Sequence, residues 1–281
     1  MNTKEFASEK PEIIQTNFSL GDRGEIHIYR PLEFDQKSHP FVLGIHGGAW
    51  RRGDQTSYNF LPPKFLPHGV AVVLVSYRLL PDFCFPAAIE DLIHLLAWLK
   101  KNGSCHRLDV SRCVLFGGSA GAHLAMLLAA RAIAEDRPRP TLCGIVAYCG
   151  IMDAIGQYMW DEENGENLVR DFLGTRPQDD PVLYRQASPI EQVHAFMPPV
   201  WMVHGDADRI VSPDQSRRMR DKLRELGHAP VFLEAQGMDH TLIEPGRTGA
   251  AGEPLTLLFE QKLLLFINRA LSASGLGLSR R

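Results

Sequence analysis

Residues 115–123 read Leu-Phe-Gly-Gly-Ser-Ala-Gly-Ala-His, and within them Gly117-Gly118-Ser119-Ala120-Gly121 has the form G-x-S-x-G. An apolar run precedes the motif and an alanine-rich run follows it. A serine on a sharp strand-to-helix turn sits in strained backbone, so its neighbours must lack bulk if chain and substrate are to approach. The same turn aims a helix N-terminus, with its unpaired N–H groups, at the place where negative charge develops. This is the chemistry of a nucleophile. A glycine-rich packing turn would use similar residues; a phosphate loop would need G-x-x-x-x-G-K-[ST], which is absent.

A serine hydroxyl needs a base. When acid and base follow the nucleophile in the chain, His123, His194, His204, His228 and His240 remain of the eleven histidines. His123 falls one helical turn past the serine, His204 at a strand end, and His228 ahead of the last strand. His240, in "QGMDHT", is the one that sits on a loop after the last strand. The acid must orient that imidazole from an intervening strand end. "VHGDADRIVSPD" (203–214) offers Asp206 and Asp208 there, and we assign the role to Asp208.

The remaining element is "IHGGAWRRGD" (45–54), directly after another apolar run. Its glycines free backbone N–H groups from sheet pairing, so Gly47, Gly48 or Ala49 can join the N–H of Ala120 around an oxyanion. Trp50, Tyr58, Tyr158, Met159 and Trp160 are candidates to line an apolar acyl or alcohol pocket.

These residues need a frame that brings distant segments to one edge. "FVLGIH" (41–46), "VAVVLVSY" (70–77), "RCVLFG" (112–117), "LCGIVAYCG" (142–150), "VWMVHG" (200–205) and "PVFLEA" (230–235) are continuous apolar runs, as expected of strands covered on both faces. Helical patterns separate them at 85–103, 119–136 and 212–227, and one closes the chain at 253–271. The last internal helix has Ser212 as its cap, Pro213 at its first position and Gly227 at its end. Two further strand-like pieces, 12–19 and 24–30, flank a Gly-Asp-Arg-Gly turn and predict an antiparallel edge hairpin. Alternating strands and helices predict a doubly wound α/β fold with a mostly parallel eight-stranded sheet. Residues 151–198 are longer and more polar than a strand-to-helix connection requires, and read as a small cap inserted into a single domain spanning 1–281. Asp153 is expected to tie the start of that cap to the serine turn, and Arg78 to serve as a structural ion-pair partner.

The chain has 281 residues, is 44% hydrophobic and carries a net charge of −3. No global field favours nucleic acid or an anionic membrane. The basic run 217–224 fits the solvated face of an amphipathic helix. No apolar stretch approaches the roughly 20 residues of a membrane span. No secretory h-region is visible, and five cysteines make an odd count without a C-x-x-C pair, so free thiols in a cytoplasmic setting are expected. Cys113, Cys143 and Cys149 fall in strands and are expected to be inert. No metal-ligand spacing or organic cofactor motif is found.

Taken together, "HGGAW", "VSYRL", "FPAAIEDL", "GGSAGAHLA", "ASPIEQV" and "HGDADRIVSP" resemble the α/β-hydrolase superfamily over nearly the full chain. They are most similar to the hormone-sensitive-lipase-like esterases of the BD-FAE-like branch, which contains feruloyl and acetylxylan esterases. The resemblance implies Ser119 as nucleophile, Asp208 as acid and His240 as base, with an oxyanion hole from Gly47, Gly48 and Ala120. The expected function is hydrolysis of short-chain carboxylic esters by a cofactor-free serine esterase. A small-molecule ester is the expected partner, and a homodimer is the candidate assembly. Departures touch specificity: Ala49, followed by Trp50, stands where many relatives have a third glycine and gives the acyl pocket a different shape, Val211-Ser212-Pro213 replaces V-P, and Gly-Met-Asp-His-Thr replaces His-Gly-Phe. Because "HGGxW" also occurs in kynurenine-formamidase-like hydrolases, an arylformamidase is the near alternative. A non-catalytic receptor on a hydrolase fold is the distant one, and retention of Ser119, Asp208 and His240 weighs against it.

Overall fold

The computed structural model describes residues 12–17, 25–31, 38–242 and 257–273. Among these residues, one sheet contains β1 (Glu12–Asn17), β2 (Glu25–Arg30), β3 (His39–Ile45), β4 (Ala71–Val75), β5 (Leu108–Gly118), β6 (Leu142–Tyr148), β7 (Val200–Gly205) and β8 (Val231–Ala235). Their order is β1-β2-β4-β3-β5-β6-β7-β8. β1 pairs antiparallel with β2, and β2 with β4. Every other neighbouring pair is parallel. The expected edge hairpin and eight-stranded sheet are both present; the Gly21–Gly24 turn lies outside the described residues.

The helices are α1 (Pro62–Phe65), α2 (Ala87–Asn102), α3 (Ala120–Ala134), α4 (Ala154–Asn164), α5 (Leu168–Leu173), α6 (Pro181–Gln186), α7 (Pro189–Gln192), α8 (Asp214–Glu225) and α9 (Leu257–Ala273). Residues 253–256 of the predicted closing helix lie outside the described residues. Side chains alternate across the strands, so each strand feeds two cores. Leu43, Val73, Leu115, Ile145 and Met202 pack with residues of α2, α3 and α8 such as Leu92, Leu124 and Met219. Val42, Val72, Val114, Val146 and Trp201 pack on the other face with Phe65 of α1 and with Leu263 and Ile267 of α9. Each fully buried aliphatic side chain stabilises the fold by about 1.5–3 kcal/mol, which explains why these strands are apolar along both faces.

α3 lies at the centre, and its residues 120–130 are buried all round. It can sit there only because backbones touch. A Cβ on Gly121 would lie 2.0 Å from the carbonyl oxygen of Ile45, and one on Gly117 would lie 2.3 Å from that of Gly121. The outer glycines of the serine motif are thus the contact points of β3, β5 and α3.

Helix starts show where local reading stopped short. α8 begins at Asp214, one residue later than expected: Pro213 is the cap residue, and Ser212 Oγ accepts the Asp214 N–H at a long 3.4 Å. Asp153 caps α4 by accepting the Ile155 N–H at 3.0 Å, and its other carboxylate oxygen binds Arg218 Nη1 at 2.5 Å. Gln215 Oε1 accepts both Met152 N–H and Asp153 N–H. The start of the inserted segment is therefore tied to α8, not to the serine turn, because a carboxylate spent on its own helix end faces whatever packs beside that end. Arg78 is the expected structural partner, with Nε 2.8 Å and Nη2 2.7 Å from Asp91 Oδ1.

His123 joins three parts of the molecule. The Trp50 indole N–H donates to its Nδ1 at 3.3 Å, and its Nε2 lies 2.7 Å from the Ala187 carbonyl, which can only accept. Nε2 therefore carries the proton, and the ring is neutral. Trp50 also stacks on Phe172 of α5 at 4.0 Å. Burial lowers the His123 pKa to about 4. Below pH 6.5 the unfolded chain takes up a proton there that the native protein refuses, so stability falls as pH drops from 6.5 towards 4.

Two outcomes are expected. Gly121→Ala should lower the urea unfolding midpoint by the equivalent of about 2–3 kcal/mol, since the new methyl meets fixed backbone. Between pH 7.5 and 5, wild type should lose about 2 kcal/mol more stability than His123→Gln, read from urea midpoints. Equal losses would show that His123 does not resist protonation in the native protein.

Candidate active site

Ser119 joins β5 to α3 with φ 54° and ψ −124°, a left-handed conformation that a side-chain-bearing residue adopts only under constraint. The constraint comes from both sides: its N–H donates to the Tyr148 carbonyl at 2.9 Å, and its own carbonyl accepts the His123 N–H at 3.1 Å. Its hydroxyl makes no hydrogen bond among the described residues. Ala120 follows as the first residue of α3, so its N–H belongs to the helix-end donors that have no intrahelical acceptor.

The loop after β3 lies directly against this turn. A Cβ on Gly47 would sit 2.8 Å from Gly118 O and 3.4 Å from Ser119 Cβ. Gly48, Ala49 and Trp50 then run through positive φ values of 103°, 54° and 57°. Gly48 O accepts the N–H groups of Arg51 and Arg52, each at 3.1 Å. Beneath the loop, the buried ring of His46 stacks on Tyr77 at 4.3 Å, and its Nδ1 lies 2.7 Å from Gly47 O. Burial lowers the His46 pKa, so the ring can donate from Nδ1 without a charge. Gly53 is needed beside it, because a Cβ there would reach 2.6 Å from that Nδ1.

Asp208 and His240 meet across the ends of β7 and β8. His240 Nδ1 lies 2.6 Å from Asp208 Oδ2. A carboxylate only accepts, so Nδ1 holds the proton and Nε2 is left with its lone pair. Asp208 Oδ1 accepts N–H groups of Ile210 at 2.8 Å and Val211 at 2.9 Å. Burial works against the Asp208 charge, yet hydrogen bonds from His204 and His240 hold its pKa well below the usual carboxylate range. Asp206, the other acid of that segment, is exposed and braces the turn after β8 by accepting the Gly237 N–H at 2.6 Å. The loop carrying His240 rests on Gly205, where a Cβ would lie 2.2 Å from Met238 O.

The pocket candidates divide. Trp50 is 1% exposed, Tyr58 6% and Tyr158 7%, so these three pack into the core and present little surface to solvent. Trp50 is held by His123 and Phe172, and Tyr158 packs edge-on against Tyr184. Tyr58 lies under the serine turn, where it accepts the Tyr148 hydroxyl at 2.8 Å while the Tyr148 ring packs on Gly118. Burial pushes both phenols up in pKa. Ala49 and Trp160 are partly exposed, the latter with its indole N–H 3.3 Å from Arg209 O, and Met159 is open to solvent. A cleft of about 780 Å³ beside Arg51, Leu80, Arg170 and Arg176 includes none of the proposed catalytic residues in its wall.

Sequence reasoning missed His204 and His46. His204 lies four residues before Asp208, and its Nε2 is 3.0 Å from Asp208 Oδ2; the H-x-x-x-D spacing at a strand end was the available signal. Cys149 Sγ lies within 4.8 Å of ligand atoms of His204 and Asp208, the one such trio among the described residues. Burial holds that thiol protonated, and the other two groups are bonded to each other, so the trio is a hydrogen-bond node rather than a ligand set. Cys113 and Cys143 lie buried in β5 and β6 as expected, whereas Cys149, also buried and unbridged, falls just past β6 with φ 48°. Among the described residues, no helix is long and apolar enough to cross a membrane.

Comparison with known proteins places this geometry in a lineage. Esterase LipC of Mycobacterium tuberculosis is 27% identical over 84% of this chain and 62% of its own length. Esterase LipQ of the same organism is 31% identical over 72% of this chain and 50% of its own. The chain thus spans about half to three-fifths of these curated relatives. The structure of carboxyl esterase 2 from the fungus Tuber melanosporum superposes with a TM-score of 0.74 at 21% identity, covering 93% of this chain and 87% of that one. The BD-FAE family model matches residues 26–223. That span runs from β2 into α8 and takes in the serine turn, the Gly47–Gly48 loop and Asp208; the chain is an α/β-hydrolase and belongs to the BD-FAE family.

Proposed function

We propose that this chain hydrolyses short-chain carboxylic esters, acetyl to butyryl, through an acyl-Ser119 intermediate. The observation that carries the reading is the pairing of Asp208 with His240 Nδ1 at 2.6 Å, which leaves Nε2 as a base, in a fold where Ser119 stands on a strained turn against Gly47.

His240 Nε2 takes the hydroxyl proton as Ser119 Oγ attacks the acyl carbon. The developing oxyanion is met by N–H groups of Ala120, Gly48 and Gly47, which are held in place before reaction and need no reorganisation. As the tetrahedral intermediate collapses, the bond to the alcohol breaks and His240 returns its proton to the leaving oxygen. Water then attacks the acyl-serine by the same route, with His240 as base, and the carboxylic acid and free Ser119 are released. Asp208 holds the imidazole tautomer and stabilises its positive form at both stages. The helices α4 to α7, within residues 151–198, serve as the cap that limits the acyl group. The names of LipC, LipQ and the fungal carboxyl esterase support an ester substrate.

Release of nitrophenol from acetyl, butyryl and octanoyl esters tests the proposal. Ser119→Ala and His240→Ala should each lose about 10⁴-fold or more in kcat, with a wild-type preference for the shorter chains; the urea midpoint should stay unchanged in Ser119→Ala and fall in His240→Ala, which takes a donor from the buried Asp208 carboxylate. Activity surviving Ser119→Ala overturns the nucleophile. Faster turnover of an aryl formamide than of any ester replaces the esterase with an arylformamidase.

A further inference from the structure

Asp208 is served by two imidazoles. His204, wholly buried on β7, brings its Nε2 to 3.0 Å from Asp208 Oδ2, the same oxygen that binds His240. That Nε2 also lies 3.1 Å from the Val211 carbonyl, which can only accept. Both neighbours demand a donor, so Nε2 carries a proton. On the far side of the ring, Nδ1 lies 2.7 Å from Ser216 Oγ on α8, and a hydroxyl can donate to it. A neutral His204 thereby satisfies every polar atom of its surroundings. The order is Ser216 to His204, His204 to Asp208, and His240 to Asp208.

We infer that His204 is a positioning residue that fixes the Asp208 carboxylate and tempers the basicity it lends to His240; this rests on the proposed triad. A second donor on one carboxylate oxygen draws off part of its negative charge. The imidazolium of His240 is then stabilised less than by a carboxylate with one partner. An apolar residue in that place would deprive Oδ2 of this donor and leave it buried and more basic. Other groups that face this centre are the Cys149 thiol from the end of β6 and the Asp239 carboxylate on the His240 loop; from α8 the facing group is the uncharged Ser216. Cys149 is held protonated by burial, so the charge set around His204 is Asp208 with His240, and Asp239 behind them.

The alternative is that His204 only fills a core position, and two variants separate the two. His204→Gln keeps an N–H donor close to the Nε2 position, whereas His204→Leu keeps bulk and removes the donor. The pH dependence of kcat/KM on nitrophenyl acetate is measured for both, with Ser119→Ala and wild type alongside and a urea midpoint for each. His204→Leu should lose about 10-fold or more in kcat with little change in KM. Its acid limb should move to higher pH by about 0.5 to 1, and Gln should restore most of both. A Leu variant whose limb stays at the wild-type pH, with Gln and Leu losing activity in proportion to their midpoints, overturns the inference while Ser119→Ala remains inactive. If Ser119→Ala is active, the triad itself fails and the role of His204 falls with it. Should the Leu variant not fold, Ser216→Ala removes the donor to Nδ1 and weakens His204 as a donor in turn; a smaller upward move of the limb supports the inference, and no move overturns it.

Discussion

A negative charge taken out of water must be met by hydrogen bonds or it will not stay charged. Asp208 is 3% exposed, and hydrogen bonds meet both its oxygens: Ile210 N–H and Val211 N–H on one, His204 and His240 on the other. Those donors come from β7, from the turn after it and from the loop after β8. The carboxylate therefore dictates how three segments arrive at one sheet edge. Gly205 follows from it, because the His240 loop can reach Asp208 only by passing directly over that residue. The edge strand β8 is short and half-exposed, and this charge gives its following loop a fixed destination.

The second constraint is distance between backbones. Gly47, Gly117, Gly118 and Gly121 all stand where a Cβ would lie under 3 Å from another atom, three of them against backbone and Gly118 against the Tyr148 ring. Together they let β3, β5 and α3 close to contact, which is what brings the Gly47–Gly48 N–H groups beside Ser119. Strain at Ser119, Ala49 and Trp50 is tolerated because the surroundings leave no other arrangement: a stacked His46–Tyr77 pair below the loop, a Tyr58–Tyr148 pair below the turn, and Trp50 wedged against Phe172.

How legible this was in the sequence depended on the kind of interaction. Six strands were readable as continuous apolar runs and the two opening ones as a hairpin around a Gly-Asp-Arg-Gly turn, while Ser119, Asp208 and His240 were readable because each follows the end of an apolar run. Residues such as Trp50 and Tyr158 were not, since an aromatic side chain beside a site and one buried beneath it have the same local sequence. Asp153 was recognisable as a residue that ties something down, but its partner Arg218 is 65 positions away. The start of α8 slipped by one residue because Ser212 and Pro213 both suit a helix entry. His204 was set aside as a strand-end histidine; its value lies in a hydrogen bond to a residue already chosen, and local patterns do not carry such second partners.

The linkage through His123 bears on how such a site could change its substrate. Trp50 belongs to the loop that carries Gly47 and Gly48, Ala187 to the segment joining α6 and α7, and His123 to the helix that begins at Ser119; one neutral ring bonds the first two from the third. The segment between β6 and β7 is fastened a second time at its start, through Asp153 and Gln215 to α8, and again where Gln157 donates to Ile210 O beside the acid. Its inner residues are thus coupled to the helix that follows Ser119, to the Gly47–Gly48 loop and to the segment carrying Asp208 at separate points, so a change in any of them is transmitted to those segments. Freedom remains on the outer side of α4, where Ile155 and Met159 are exposed and make none of these bonds. Substitutions there can be accommodated without disturbing Ser119, because that face contributes exposed apolar surface while the fastened face contributes position.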